Sequence, residues 1–209
     1  MIDAAWWLFT AASLLLIVTP GQDMILVMSR SITQGAAAGV VTAAGVSVGL
    51  VGHSVLAALG LGALLQASAW MYLALKWVGA AYLVYLGVQL LRTPPAGALT
   101  LASTAPRSLG RLFADGALSN LANPKIAVFY FAFLPQFVAP GAAQPTLTLL
   151  VLGLAFAALT FAVKGPVGLA AAALSGWLRA RPRVLRSLFQ ASGLVLIGLG
   201  ARLALERRN

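Results

Sequence analysis

The sequence predicts an all-α integral membrane protein of six transmembrane helices, arranged as a 3+3 inverted repeat with helices one and four broken. Three observations lead there. Of the 209 residues 61% are hydrophobic and 9% charged, where soluble domains carry about a quarter charged residues, and the mean hydropathy is +0.94. The apolar residues fall into runs long enough to cross a bilayer, which takes about 20 residues per helix. The basic residues collect in alternate connections, as cytoplasmic loops do.

Each span follows from its boundaries. The first runs from Ala4 to Met28 and is interrupted by Thr19-Pro20-Gly21-Gln22-Asp23. Proline has no N–H and clashes with the preceding turn, and glycine loosens the backbone beside it. Asp3 and the lack of a basic stretch ahead of the apolar run argue for a span here and against a cleaved leader. Arg30 and Gln34-Gly35 end it. The second span, Ala37 to Leu65, and the third, Ala69 to Leu91, are divided by the turn Gln66-Ala67-Ser68. A polar loop at 93–112, with Pro94-Pro95 and Pro106, separates the first half (1–92) of this single membrane domain (1–209) from the second (113–209). The fourth span, Phe113 to Val138, holds Asn120 and the break Asn123-Pro124-Lys125. The fifth, Thr146 to Leu174, is expected to break at Gly165-Pro166. A basic loop with Arg179, Arg181, Arg183 and Arg186 precedes the sixth, Leu188 to Leu205.

The loops after spans one, three and five carry eight arginines, against Arg207 and Arg208 on the other side. This places the basic loops in the cytoplasm and both termini outside. The net charge of +10 is therefore mostly topological, and no nucleic-acid partner is expected. Three spans per half force the halves to be inverted, a common plan of secondary transporters. Faint matches support the repeat: Pro135 follows Pro20 by 115 residues, and Gly200 follows Gly87 by 113 within similar flanks.

Asp23 is the one acid expected inside the membrane. Such a carboxylate holds an ammonium group, carries a proton or forms a structural ion pair. Lys125, beside Asn120 and Asn123, offers a carboxylate-binding group, and a bridge to Asp23 is the structural alternative. The residue before a proline is pushed out of the helix, which frees backbone groups at Pro124 as at Pro20 and Gly21. Lys164 sits just ahead of Gly165-Pro166. His53, the single histidine, is the one side chain that titrates near neutrality without a large shift; it is a proton-coupling candidate or a satisfied structural residue. Lys76 snorkels or lines a vestibule. Gly45, Gly49, Phe129, Tyr130 and Phe133 are candidate pocket walls. With no cysteine, no metal-ligand cluster and no phosphate loop, neither metal nor cofactor is expected, and disulfides and dithiol relays are excluded.

Residues Pro20-Gly21-Gln22-Asp23-Met24-Ile25-Leu26-Val27, with Ser29-Arg30-Ser31 and Gln34-Gly35, resemble the N-terminal signature of the LysE/RhtB family of amino-acid exporters. Gly116 to Lys125, with Phe133-Leu134-Pro135-Gln136-Phe137-Val138, resembles its second signature, and Gly79-Ala80-Ala81-Tyr82-Leu83 with Leu86-Gly87 fits between them. The match covers most of residues 10–140. Gln22 departs from it, standing where the family often has a second proline.

The resemblance implies a transporter of the bacterial inner membrane, not an enzyme, that exports small neutral or zwitterionic amino acids by proton antiport. Homoserine, threonine and leucine efflux proteins are of this type. By the motif match, Asp23, Asn120, Asn123 and Lys125 form the expected central polar site. Independently of the match, which is loose after residue 145, the residues themselves make His53 and Lys164 further candidates for proton coupling or the pocket. The expected partners are a small amino acid, a proton and the lipid bilayer, with a homodimer among the options. A channel, a structural membrane protein and a membrane enzyme are the rival classes.

Overall fold

The computed structural model describes residues 4–67, 69–94, 106–138 and 142–205, and within them the side chains of 4–5, 61–67, 69, 71–72, 75, 124–125, 128 and 179 fall outside the described set. The described residues are helical throughout, with no strand. The helices are α1 (Ala4–Val18), α2 (Gln22–Gln34), α3 (Ala36–Ala67), α4 (Ala69–Arg92), α5 (Leu109–Leu121), α6 (Pro124–Phe133), a 3-10 turn (Leu134–Phe137), α7 (Pro145–Leu169), α8 (Ala171–Arg179) and α9 (Pro182–Leu205). In hydrocarbon each backbone group needs an internal partner, and helices supply it within one segment.

Among the described residues, Ala36–Gly60 of α3, α7 and α9 are long and apolar enough to cross a membrane. A fourth crossing is available if α1 and α2, bent by 51° at their junction, form one broken span. The two expected breaks are present, at Thr19–Gly21 and at Ala122–Asn123. The third is not. α7 continues through Pro166 and stops at Leu169. Proline cannot donate, but neighbouring helices and local adjustment accommodate it inside a packed span. The expected basic loop is also mostly helix. Arg179 ends α8, and Arg183 and Arg186 lie in the first turns of α9, which starts at Pro182 because proline suits the first helical turn.

The helices pack in antiparallel pairs, α3 on α7 and α4 on α9, with α5 against α3. Small residues let these backbones approach, as they do in lipid. Gly39 meets Gly168, and Gly153 meets Ser54. Gly87 meets Gly193 and Ile197, while Gly200 meets Ala80 and Val84. Exchanging partners with a shift of 114 residues turns the first α3–α7 contact into the second, and a shift of 113 does the same for α4 and α9. Both values fall beside the offsets found in the sequence.

The largest apolar cluster lies where α1, α6 and α7 meet. Phe129 stacks on Phe133 with ring centroids 4.7 Å apart, and Phe9 meets Phe137 edge-on at 5.3 Å. A second cluster joins Met24 and Met28 of α2 to Ala171 and Leu178 of α8 and to Leu185 and Phe189 of α9. Trp7, Trp70 and Trp177 are exposed near helix ends, as interfacial aromatics are.

The α3–α5 crossing is a test of this packing. A Cβ on Gly116 would lie 2.5 Å from the Thr42 carbonyl oxygen and 3.0 Å from the Val46 nitrogen, both backbone atoms that cannot yield. Gly116→Ala is expected to destabilise by about 1–3 kcal/mol. Gly198→Ala, in α9 with nothing within 4 Å of the added carbon, is expected to be neutral or to gain up to about 1 kcal/mol from helix propensity. Thermal unfolding of the purified variants in detergent checks the order.

Candidate functional site

The α1–α2 break is built from α1's last carbonyls. Thr19 N–H donates to the Leu15 carbonyl at 3.2 Å and the Thr19 hydroxyl donates to it at 2.8 Å. Ser192 of α9 adds a third bond at 3.2 Å and also meets the Thr19 hydroxyl. The carbonyl that a helix end leaves unpaired is thereby satisfied by a neighbouring helix. Pro20 and Gly21 cross the gap, and extended Gly21 caps α2 with its carbonyl, accepting from Ile25 N–H at 2.9 Å. Asp23 falls in α2's first turn, where the helix dipole favours a negative charge.

The α5–α6 break is a single peptide wide. Asn123 N–H closes α5 on the Asn120 carbonyl at 3.0 Å, and the Asn123 carbonyl opens α6 by accepting from Ile126 and Ala127. Pro124 takes the first helical position, where no N–H is needed.

These two breaks and α7 converge on Asp23, which is 6% exposed. Its Oδ2 accepts from Asn120 Nδ2 at 2.9 Å and from Lys164 Nζ at 3.3 Å. Lys164 is 7% exposed, so both charges of this ion pair are buried. Asp23 Oδ1 and Asn120 Oδ1 are buried acceptors that meet no donor among the described residues. Asn123 donates to Gln22 Oε1 at 3.4 Å. Asp23, Gln22, Asn123, Thr160 and Lys164, together with Pro20 and Gly21, line one side of a cavity of about 300 Å³. Its other walls are apolar, among them Leu50, Leu86, Phe129, Phe156 and Leu196. A concave, mainly apolar space with a few convergent polar groups is the usual form of a small-molecule site.

Of the residues singled out in the sequence, the structure brings Asp23, Asn120 and Asn123 together. Among the described side chains, the cation that meets Asp23 is Lys164, on α7. Lys125 sits at the start of α6, and its side chain, like that of Pro124, lies outside the described residues. His53 donates from Nε2 to the Asn120 carbonyl at 3.1 Å and packs against Tyr130, behind the cavity wall. Of the expected walls, Phe129 lines the cavity. Gly45 and Gly49 instead pack on α5, and Tyr130 and Phe133 are core residues. Gln22, Thr160 and the Thr19–Ser192 pair were missed. Only Gln22, one residue from the recognised aspartate, carried a signal in the sequence. Lys76 lies over the Trp77 ring, 5.8 Å from its centroid.

A second tie joins the same helices one end further along. Asp115 of α5 faces Arg30 of α2 at 3.6 Å and Arg111 at 3.5 Å, and Arg107 also contacts it. Gln34 Nε2 donates to the Arg107 carbonyl at 2.9 Å.

Residues 14–207 match the LysE type translocator family. The chain belongs to that family. The translocator is 37% identical over 204 residues to a homoserine/homoserine lactone efflux protein of Salmonella typhimurium, with 97% of each chain covered. It is 32% identical to an uncharacterized membrane protein of Pseudomonas aeruginosa, covering 95% of this chain and 94% of that one. A Vibrio cholerae membrane protein is 31% identical over 200 residues. No solved structure matches it. Family and relatives make it a multi-pass membrane transporter and not an enzyme.

The buried pair makes a stability prediction for the translocator. Asp23→Asn leaves the Lys164 charge buried without its counter-charge, and loss of one partner of such a pair costs about 3–5 kcal/mol. The double variant Asp23→Asn/Lys164→Gln removes both charges and is expected to melt above the single one. Thermal unfolding of the three proteins decides it.

Proposed function

We propose that the translocator exports small neutral amino acids as zwitterions, by proton-coupled alternating access across the bacterial inner membrane. The observation that carries this reading is the buried Asp23–Lys164 pair on the cavity wall. An α-amino acid presents one cation and one anion a single carbon apart. Inserted between the two side chains, it replaces each partner with one of like charge. Its ammonium group takes Asp23, whose free Oδ1 is an acceptor ready for it. Its carboxylate takes Lys164, the role the sequence assigned to Lys125. Asn123 and Gln22 offer further polar contacts, and the apolar walls suit an uncharged side chain. Asp23 also serves as the proton carrier, because its carboxylate holds either the substrate's ammonium group or a proton, and binding of one displaces the other. Homoserine, named with its lactone for efflux by the Salmonella relative, is a zwitterion that fits a site of this size and polarity.

Six crossings follow if α1–α2 and α5–α6 each form one broken span and α8 joins α7 and α9 at the membrane surface. The shared shift of 113 and 114 residues at the α4–α9 and α3–α7 crossings supports an inverted repeat. The arginine asymmetry of the connections supports basic ends in the cytoplasm and termini outside.

Proteoliposomes loaded with a labelled neutral amino acid and given an imposed pH gradient test the proposal. Wild-type flux is expected to follow the gradient. Asp23→Asn and Lys164→Gln are each expected to lower it by about two orders of magnitude, the scale of a lost buried charge contact. Lys125→Gln, if its role has passed to Lys164, keeps most of the flux. Flux that ignores the gradient supports a channel, and full activity in Asp23→Asn ends the assignment of the site.

A further inference from the structure

We propose that the groove between the C-terminal end of α4 and the first turns of α9 binds the headgroup of an anionic phospholipid. The groove encloses about 270 Å³ and is lined by Leu90, Leu91, Arg92, Arg186, Phe189 and Gln190. Its chemistry divides cleanly. Arg92 and Arg186 are exposed arginines brought to one place from two helices, and Gln190 adds an amide. Leu90, Leu91 and Phe189 supply an apolar floor.

Among the described residues the charge is uncompensated. The described acids are Asp23, which holds Lys164, and Asp115, which holds Arg30, Arg107 and Arg111. Neither reaches Arg92 or Arg186. Guanidinium groups bind phosphate oxygens as a fork, with two parallel hydrogen bonds. Basic pockets between membrane helices at the interface take anionic headgroups in this way.

The position fits a lipid and not a free ion. The adjoining surface carries interfacial marks: Trp177 is exposed and Arg181 lies over its ring, 4.5 Å from the centroid. The floor beside the two arginines is apolar, which suits an acyl chain and offers nothing to a free phosphate. Leu90 belongs to this groove and to the wall of the central cavity as well. Phe189 packs in the cluster that holds Met24, the residue after Asp23. A lipid seated here therefore touches the wall of the transport cavity from behind.

Native mass spectrometry of the purified full-length protein tests the site, with phosphatidylglycerol and phosphatidylcholine of matched acyl chains as probes. The wild type is expected to retain phosphatidylglycerol in preference. Arg92→Gln/Arg186→Gln is expected to lose that preference by on the order of tenfold, with each single variant intermediate. Arg181→Gln/Arg183→Gln removes the same charge outside the groove and is expected to keep it. Equal loss in the two double variants means diffuse attraction and overturns the proposal. So does a wild type without preference, or displacement of the lipid by inorganic phosphate. Monodisperse elution of each variant shows that it is folded, and the single variants carry the test if a double variant is not.

Discussion

The ion pair between Asp23 and Lys164 is the constraint on which the rest of the arrangement depends. Two charges at this depth are costly to desolvate, and they persist only when paired and held by further hydrogen bonds. The structure supplies both. A helix break starts α2 at Gln22 and puts Asp23 in its first turn. A second break ends α5 at Leu121 and aims Asn120 at the same carboxylate. α7 must then run unbroken past Pro166 to keep Lys164 in place. An aspartate in an unbroken helix would lack the positive end of a helix beside it. A lysine without the aspartate would be an uncompensated charge in lipid.

The second tie, Arg30 to Asp115, gives α2 an anchor beyond its break. Helix α2 is 13 residues long and is held to α5 at both ends, by Asp23–Asn120 and by Arg30–Asp115. Ser31 adds a hydrogen bond of 2.5 Å to the Gly168 carbonyl of α7. The two ties differ in kind. The inner one is buried and strong but holds a group that a ligand can replace. The outer one is partly exposed, three arginines sharing one carboxylate, and such pairs contribute little each. Release of the inner pair therefore leaves α2 on its weaker anchor.

Much of this was legible in the residue order, and the failures share a cause. Composition gave the class, and Pro20-Gly21 and Asn123-Pro124 gave the breaks, because proline and glycine act locally. Asp23, Asn120 and Asn123 stood out as polar groups where hydrocarbon forbids them. Lys164 was visible as a charge, but its partner was not, since the contact spans 141 residues and depends on how α7 packs. Lys125 drew the assignment in sequence because it adjoins the asparagines, and its side chain lies outside the described residues. Pro166 misled for the opposite reason: a local rule was applied where tertiary packing overrides it. Helix α8 went unseen because Arg179 read as the start of an arginine-rich loop, although Ser175 and Leu178 form a buried face three residues apart.

The proposed repeat and the site do not share a symmetry, and this separates scaffold from chemistry. Carried forward by 114 residues, the Thr19–Gly21 break falls on Phe133–Pro135, where α6 gives way to the 3-10 turn. The Ala122–Asn123 break, carried back, falls inside α1, which is continuous there. The two breaks that meet at the cavity are thus not counterparts. Lys164 has Leu50 as its counterpart, also on the cavity wall but apolar. The glycine crossings obey the repeat, and the charges break it. Asp23 comes from the proposed first half, while Asn120, Asn123 and Lys164 come from the second. The contacts of Asp23 with Asn120 and Lys164, and that of Asn123 with Gln22, therefore each join one half to the other. A ligand that exchanges those contacts for its own acts on the relation between the halves, and alternating access requires that of its substrate.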